Sequence, residues 1–230
     1  MDNLSITDKI FFEKNDLNKE NIIKVINEGL VGCDDGELFL EYCQNENITF
    51  DDGHIRGSSF ESSKGFGFRA LCGEIIGYSH SSDLNEKSII NAIKKITTVK
   101  KGYKGRIGDQ IIKTNQLLYS NKNELPLIPY ERKVSTLKEI DKYARNLNSN
   151  VKQVSAGLSA EWQAIQIIKN DGYVTSDIRP LIRLNISIVV EKDGRMEVGS
   201  YGTGGRGSYL HFLKKEIWKN SVDEALRQAL

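Results

Sequence analysis

Asp-Gly dipeptides that lie between pairs of extended stretches constrain the fold of this chain more than any other feature. Asp-Gly is among the strongest sequence signals for a two-residue β-hairpin, because both central residues of a type I′ turn need a positive φ. The chain carries such signals at Asp52-Gly53, Asp171-Gly172 and Asp193-Gly194. The sequence therefore predicts a fold built on antiparallel hairpins.

Residues 181–190 show the clearest strand pattern in the chain. Every second position from 182 to 190 is apolar, whereas Arg183, Asn185 and Ser187 lie between them. A period of two predicts a strand with one buried face and one face in water. Similar extended character predicts further strands at residues 37–44, 47–50, 55–61, 66–71, 74–78, 151–169, 173–176 and 196–201.

Apolar residues at helical spacing predict helices between these strands. The first of them runs from about Asn18 to Glu28 and stops at Gly29. Capping boxes predict where three later helices begin, because a Ser, Thr or Asp three residues before a Glu satisfies the first backbone N–H groups. These boxes pair Asp83 with Glu86, Thr136 with Glu139 and Ser221 with Glu224.

The last predicted helix carries an apolar stripe and continues to Leu230 without a stop signal. A helix of two or three turns does not hold itself together in water, so the stripe needs a packing partner. We expect that partner to lie outside this chain. The alternative is that the helix docks on its own sheet.

Strands and helices in this order predict an α+β fold, with two units of antiparallel sheet and helices packed on one face. Between Lys100 and Arg132 the periodic pattern gives way to glycine, charge and a Leu-Pro-Leu-Ile-Pro stretch. This segment is typical of a connection between structural units. We therefore predict two domains, at residues 1–118 and 119–230.

The composition argues against several functional classes. Lys and Arg number 32 against 31 Asp and Glu, so no net positive field would attract nucleic acid or an anionic membrane. A basic cluster at residues 94–106 is interpreted as a solvated helix end and loop. No apolar run approaches the roughly 20 residues of a membrane helix, and no signal peptide is visible at the start. We expect a cytoplasmic protein without a nucleic-acid or membrane partner.

The residue types that bind metals do not form a recognisable motif. Cys33, Cys43 and Cys72 lack the C-x-x-C spacing of a zinc knuckle, and His54, His80 and His211 are scattered. We therefore predict no metal site and assign no catalytic residue in this chain. A cysteine hydrolase that uses Cys43 or Cys72 is the last of the alternatives, because neither thiol has an evident base.

Two long segments resemble the TldD/PmbA family. Residues 51–84 contain an acidic-Gly turn, then G-x-G-x-R-A and G-E-x-x-G-[FY]. Residues 171–212 contain D-x-R-P-L-x-R-L, an E-x-D-G hairpin and a glycine-rich G-G-R loop. These strings resemble the first and middle domains of the TldD branch, in the same order. The resemblance covers nearly the whole chain, so a chance match of short motifs does not explain it.

The resemblance implies a zinc-dependent peptidase that works as a TldD/TldE heterodimer on unfolded or small peptides. The family is also known as a modulator of DNA gyrase. Its metal motif, H-E-x-x-x-H, lies in a C-terminal domain that this sequence does not include, so we expect the chain to be inactive alone. Zinc is then a cofactor of the full-length family, and a separate C-terminal catalytic fragment is a possible partner beside a TldE/PmbA-like subunit and peptide substrates.

Candidate substrate-binding residues come from two glycine-rich segments and one strand: Gly67, Arg69, Arg179, Gly204, Gly205 and Arg206. Glycines would admit a peptide backbone closely, and Arg206 would offer a forked donor to a carboxylate or carbonyl. The alternatives are structural: a tight strand entry at Gly67, an ion pair of Arg179 with Asp177, and a supporting loop at Gly204. A phosphate site there is disfavoured, since no Walker lysine follows.

We predict that the chain is the substrate-framing and partner-binding N-terminal part of a TldD-like metallopeptidase. It would bind extended peptide by strand addition at a sheet edge. The alternative is a non-enzymatic interaction module, or a truncated relic, that binds a TldE/PmbA-like partner.

Overall fold

A computed structural model describes residues 2–15, 17–96, 100, 102–106 and 117–230 of the 230-residue chain. Its helices are α1 (Asn3–Phe11), α2 (Lys19–Leu30), α3 (Glu86–Ile96), α4 (Tyr130–Leu147), α5 (Tyr209–Phe212) and α6 (Lys215–Ala229). Its strands are β1 (Asp35–Asp51), β2 (His54–Cys72), β3 (Ile75–Ser81), β4 (Val151–Lys169), β5 (Val174–Lys192) and β6 (Arg195–Gly205).

The six strands form one sheet in the order β3-β2-β1-β4-β5-β6. Antiparallel hairpins join neighbours along the chain, as β2 with β3 and β5 with β6 illustrate. The helices listed above accompany this antiparallel sheet, and this combination confirms the predicted α+β class.

The chain divides into two compact units, each made of three segments. The first unit comprises Met1–Cys43, Ser62–Leu118 and Gln163–Ile178. The second comprises Gln44–Glu61, Tyr119–Trp162 and Arg179–Leu230. The long strands β1, β2, β4 and β5 each contribute residues to both units.

Two of the predicted Asp-Gly turns are confirmed. Asp52 and Gly53 have φ values of 46° and 83°, and Asp193 and Gly194 have 53° and 78°, as type I′ turns require. The prediction is wrong at Gly172, where the chain forms a short 3₁₀ turn, Asn170–Gly172, and Tyr173 N donates to Asn170 O at 3.4 Å. That connection is longer than a two-residue hairpin loop.

Predicted breaks in the first two strands are also wrong. Residues 37–44 and 47–50 belong to the single strand β1, and residues 55–61 and 66–71 belong to β2. The polar residues at these breaks remain compatible with a sheet. Glu46 in β1 is held by Lys133, whose Nζ lies 2.6 Å from Glu46 Oε2, and residues 61–64 of β2 are exposed.

The first unit has its own apolar core, to which α2 and α3 contribute Ile22, Ile26, Ile89 and Ile93. The α2 helix begins at Lys19, close to its predicted start, and Asn18 is its N-cap, since Asn21 N donates to Asn18 Oδ1 at 2.9 Å. Gly29 does not end the helix, which continues to Leu30.

The capping residue of α3 differs from the prediction. Asn85 caps this helix instead of Asp83, because Ser88 N donates to Asn85 Oδ1 at 2.9 Å. Asp83 lies two residues further from the helix and its carbonyl accepts from Asn85 N. The helix therefore begins at Glu86, within its predicted capping box.

In the second unit, α4 and α6 begin earlier than their capping boxes predicted. The α4 helix starts at Tyr130 after Pro129, and α6 starts at Lys215. Thr136 Oγ1 and Ser221 Oγ each donate to a carbonyl four residues back, both at 3.1 Å. A hydroxyl satisfied in this way is compatible with a helix interior, so neither residue marks a start.

The apolar stripe of α6 is covered within the second unit. Trp218, Val222, Ala225 and Ala229 are buried, and the helix packs on β6 and α4. At Gly199 of β6, an added Cβ would clash with the carbonyl of Ala225 and lie 2.6 Å from Ala229 N. The expectation of a packing partner outside this chain is therefore wrong for this stripe, and the alternative, docking on its own sheet, is correct.

Candidate functional site

The open face of strands β5 and β6 is the most distinctive polar surface of the second unit. Ile182, Leu184 and Ile186 point into the core, as the alternation predicted. The residues between them face the other side of the sheet, where a groove of about 300 Å³ lies. Its lining includes Ser155, Gly157, Arg183, Asn185, Ser200 and Gly202.

The register of the β5–β6 hairpin places arginine and asparagine opposite glycines. Arg183 pairs with Gly204, and Asn185 pairs with Gly202. Residues directly opposite each other on antiparallel strands share a face. The side chains of Arg183 and Asn185 therefore extend over a part of β6 that carries no side chain on this face.

Among the described residues, Arg183 is held by one hydrogen bond and has no ion-pair partner. Its Nε donates to Asn185 Oδ1 at 2.8 Å. None of the ion pairs found within the described part of the chain includes Arg183. The two Nη groups of its guanidinium thus remain available as charged, coplanar donors.

Steric constraints explain the glycines of β6. A Cβ on Gly202 would lie 2.7 Å from Asn185 Oδ1 and 3.2 Å from Arg183 Nη2. A Cβ on Gly204 would clash with the carbonyl oxygen of Ile182, which is backbone and cannot turn aside. The glycine-rich segment was predicted to be a loop. This prediction is wrong for the residues up to Gly205, because strand β6 continues to that residue.

The predicted binding residues at the end of β6 have separate surroundings. A Cβ on Gly205 would make only an ordinary contact, 3.8 Å from Phe212 Cζ. Arg206 follows the strand and is exposed, with its guanidinium carbon 5.7 Å from the ring centroid of Tyr119. This is a cation–π contact, so Arg206 stacks on an aromatic ring of its own unit. Arg179 lies on β5 and is half-buried.

The other two predicted residues lie on β2 in the first unit. Gly67 is covered by an aromatic ring, since an added Cβ would lie 2.7 Å from Tyr78 Oη. Tyr78 in turn stacks on His80, with ring centroids 5.6 Å apart. These residues line a groove of about 280 Å³ together with Glu41.

Arg69 belongs to a compact ion cluster. Its Nε donates to Glu37 Oε1 at 3.0 Å and its Nη2 donates to Asp35 Oδ2 at 2.8 Å. Lys169 Nζ lies 3.3 Å from Asp35 Oδ1. The hydrogen bond to Glu37 raises the pKa of Arg69 above its already high ordinary value. The guanidinium is thus engaged with carboxylates of its own unit, although its role as a substrate contact stays a prediction.

Sequence reasoning located the glycines of this surface but missed Arg183 and Asn185. The signal was present, because both residues occupy wet positions of the strand with the clearest alternation. Their importance depends on the register that sets them opposite Gly204 and Gly202. The site predictions for Gly67, Arg69, Arg179, Gly204, Gly205 and Arg206 remain predictions.

The described residues do not fit a zinc ion. A zinc site needs about three convergent protein ligands, and no group of three His, Cys, Asp or Glu side chains in the described part of the chain is arranged to hold a metal. His54 Nδ1 lies 2.9 Å from the carbonyl of Asp52, and the ring of His211 packs edge-on against Phe212. The three cysteines are buried thiols.

None of the helices among the described residues is both long and apolar enough to cross a lipid bilayer.

Two family models match the chain. The PmbA/TldA metallopeptidase domain 1 matches residues 36–98, and the PmbA/TldA metallopeptidase central domain matches residues 123–230. The chain is thus built from domains of a metallopeptidase family, and together the two matches span well over half of it. It belongs to the TldD/PmbA family and corresponds to an N-terminal portion of that family's proteins.

Curated relatives agree with this assignment. A metalloprotease TldD homolog from Haemophilus influenzae is 35% identical over 206 residues, which are 86% of this chain and 42% of the relative. A metalloprotease TldD homolog from Buchnera aphidicola subsp. Schizaphis graminum is 26% identical over 239 residues, which are 99% of this chain and 49% of the relative. The chain therefore spans less than half the length of these relatives.

Solved structures share the fold. TldE from Thermococcus kodakarensis superposes with a TM-score of 0.68 at 15% identity, over 91% of this chain and 46% of that protein. A protein from Bacteroides thetaiotaomicron, named as a modulator of DNA gyrase, superposes with a TM-score of 0.70 at 14% identity, over 90% of this chain and 49% of its own. At such low identity these likenesses support the fold alone.

Proposed function

We propose that this chain is the substrate-framing and partner-binding N-terminal portion of a TldD-like metallopeptidase that acts on unfolded or small peptides. The observation that carries the proposal is the pair of family matches at residues 36–98 and 123–230. These matches also support the predicted division into domains 1–118 and 119–230. We place the protein in the cytoplasm.

The edge strand β6 is the proposed docking site for peptide. It lies last in the sheet order, so one side of its backbone pairs with β5 and the other side can accept an added strand. Gly202 and Gly204 would let a peptide backbone approach without side-chain obstruction. Met196 and Val198 on the same strand are 66% and 62% exposed and would contact apolar peptide side chains.

The catalytic metal is proposed to come from another part of the full protein. The TldD homologs that this chain resembles are named as metalloproteases, yet the chain spans only 42–49% of their length. The described residues do not offer a fitting donor set. Zinc would therefore be held by a catalytic segment, whether in the same polypeptide or supplied as a separate fragment.

A cleavage assay tests this division of roles. The purified 230-residue chain is incubated with casein and with a quenched fluorescent peptide in the presence of Zn²⁺, and a full-length TldD–TldE pair serves as positive control. We expect no turnover above buffer. Turnover that a chelator abolishes would contradict the proposal, because the chain would then carry a hydrolytic site of its own.

The second candidate is a non-enzymatic interaction module that binds a TldE/PmbA-like subunit. The membership of the TldD/PmbA family supports it, because the resemblance to the TldD branch implies a TldE/PmbA-like partner. A pull-down with a purified TldE homologue as bait separates the possibilities. An interaction module must be retained on the bait, whereas retention of nothing would favour a relic without a partner.

A further inference from the structure

We infer that Arg183, oriented by Asn185, forms a carboxylate-binding position for a peptide held at the β6 edge. This inference rests on the proposed peptide-binding function and adds a preference to it. The preferred peptides would present an acidic group next to the bound strand, either an Asp or Glu side chain or a C-terminal carboxylate.

The charge of the groove supports this preference. Arg183 is the one charged residue among the described residues that line the 300 Å³ groove. A carboxylate lies near the groove at Asp51, but it accepts from Ser155 Oγ at 2.6 Å and from Gln153 Nε2 at 2.8 Å. Asp51 is also paired with Arg56, 3.5 Å away. Among the described residues Arg183 thus has no ion-pair partner, and its charge would favour an anion in the groove.

The geometry selects a planar anion. The hydrogen bond from Nε to Asn185 Oδ1 fixes one edge of the guanidinium and leaves both Nη groups as donors. A pair of coplanar donors matches the two oxygens of a carboxylate. A phosphate would need further cations or a nest of backbone N–H groups, and the described residues that line the groove include no second cation.

Gly202 and Gly204 determine how far the side chain of Arg183 can extend across β6. Neighbouring strands lie roughly 4.8 Å apart, so a peptide added beyond β6 would lie roughly 10 Å from β5. Gly202 and Gly204 leave the surface of β6 without side chains along this path. Arg183 can therefore extend across β6 and meet an acidic side chain that points to the same face.

Fluorescence anisotropy with labelled peptides tests the inference. The probe is a fluorescein-labelled ten-residue peptide of Ser, Thr and Val with one variable central position. Three forms are compared: Glu with an amidated C-terminus, Gln with an amidated C-terminus, and Gln with a free C-terminus. We expect the 230-residue chain to bind one carboxylate-bearing form roughly three- to tenfold more tightly than the neutral form. The tighter form identifies the source of the carboxylate.

Variants of Arg183 test whether its guanidinium causes the preference for a carboxylate-bearing peptide. Arg183→Gln should reduce the preference to about onefold. Arg183→Lys keeps the charge but loses the fork and should retain only part of the preference. The matched control is Lys138→Gln, which removes one positive charge from an exposed residue of α4 that does not line the groove and should keep the full preference. Circular dichroism and thermal unfolding check that each variant folds.

The results distinguish a failure of this inference from a failure of the proposed peptide-binding function. Equal binding of all three peptides, or a preference that survives in folded Arg183→Gln, overturns carboxylate recognition but leaves peptide binding in place. Loss of the preference in Lys138→Gln as well overturns it too, since the effect would then reflect net charge. If none of the peptides binds, the proposed peptide-binding function fails, and the inference fails with it.

Discussion

Lys133 is a buried cation held by two groups of the second unit. Its side chain is 2% exposed, and its Nζ donates to Glu46 Oε2 at 2.6 Å and to the carbonyl of Leu125 at 2.9 Å. Tyr209 Oη donates to the other oxygen of Glu46 at 2.8 Å. Burial, and next the charge of Glu46, raise the pKa of Tyr209 well above its ordinary value. The tyrosine is therefore a neutral donor at any physiological pH.

Removing the cation from this network should be costly. Lys133→Met leaves the carboxylate of Glu46 buried without its counter-ion, so we expect the free energy of unfolding to fall by about 3–5 kcal/mol. Urea denaturation followed by circular dichroism measures the change. Lys138→Met on the exposed side of α4 is the matched control and should stay within about 0.5 kcal/mol of the parent. Equal effects of the two variants would refute a structural role for the pair.

Cys33 and Cys72 should be unreactive in the folded protein. Their sulfurs are 3.1 Å apart in a buried site, and burial, with the hydrogen bond from Cys72, raises the pKa of the Cys33 thiol to about 12. A raised pKa keeps the thiol protonated, so at pH 8 roughly 1 molecule in 10⁴ carries the nucleophilic thiolate. We expect Cys33 to be alkylated by iodoacetamide at least a hundredfold more slowly in buffer than in guanidinium chloride, as read by peptide mass spectrometry. Similar rates in the two solvents would contradict this.

At the scale of elements, the contact between α6 and β6 depends on Gly199. Any Cβ at this position would clash with backbone atoms of α6, which cannot rotate away. We expect Gly199→Ala to lower the free energy of unfolding by about 1–3 kcal/mol, because the helix must shift. Gly57→Ala is the control, since an added Cβ on Gly57 meets nothing within 4 Å. Chemical denaturation of both variants gives the comparison, and a Gly199→Ala protein as stable as the control would contradict the packing argument.

Local chemistry predicted some elements well and others poorly. The turns at Asp52 and Asp193 were predictable because a type I′ turn depends on only two residues. The starts of α4 and α6 were not, because a Ser or Thr three residues before Glu is also tolerated inside a helix when its hydroxyl donates to a carbonyl of the preceding turn. The continuity of β1 through Glu46 depends on Lys133, 87 residues away, which no local pattern indicates.

The candidate site shows the same limit. The sequence indicated that Arg183 lies on a wet face and that β6 is rich in glycine. It did not indicate that Arg183 lies directly opposite Gly204, since this pairing follows from the register of the hairpin. Functional reasoning from the sequence therefore favoured Arg206, whose guanidinium the structure places over Tyr119.

At the scale of the whole molecule, the compact units are not continuous in sequence. The second unit includes Gln44–Glu61 from the first half of the chain, and this segment supplies Glu46 to Lys133 and Tyr209. A fragment of residues 119–230 would lack these strand segments. We expect it to lose the cooperative urea transition of the complete chain. A fragment that unfolds cooperatively at the same midpoint would show that residues 44–61 are dispensable.

The glycines of β6 also determine which part of the sheet loses its backbone hydrogen bonds most readily. Each glycine in a strand interior costs roughly 0.5–1 kcal/mol relative to alanine, because more backbone freedom is lost on ordering. Gly202, Gly204 and Gly205 lie close together in β6, which pairs with β5 alone among the strands of the described residues. The amide hydrogens of this segment should therefore exchange with deuterium faster than those of β5, and a bound peptide strand would slow them.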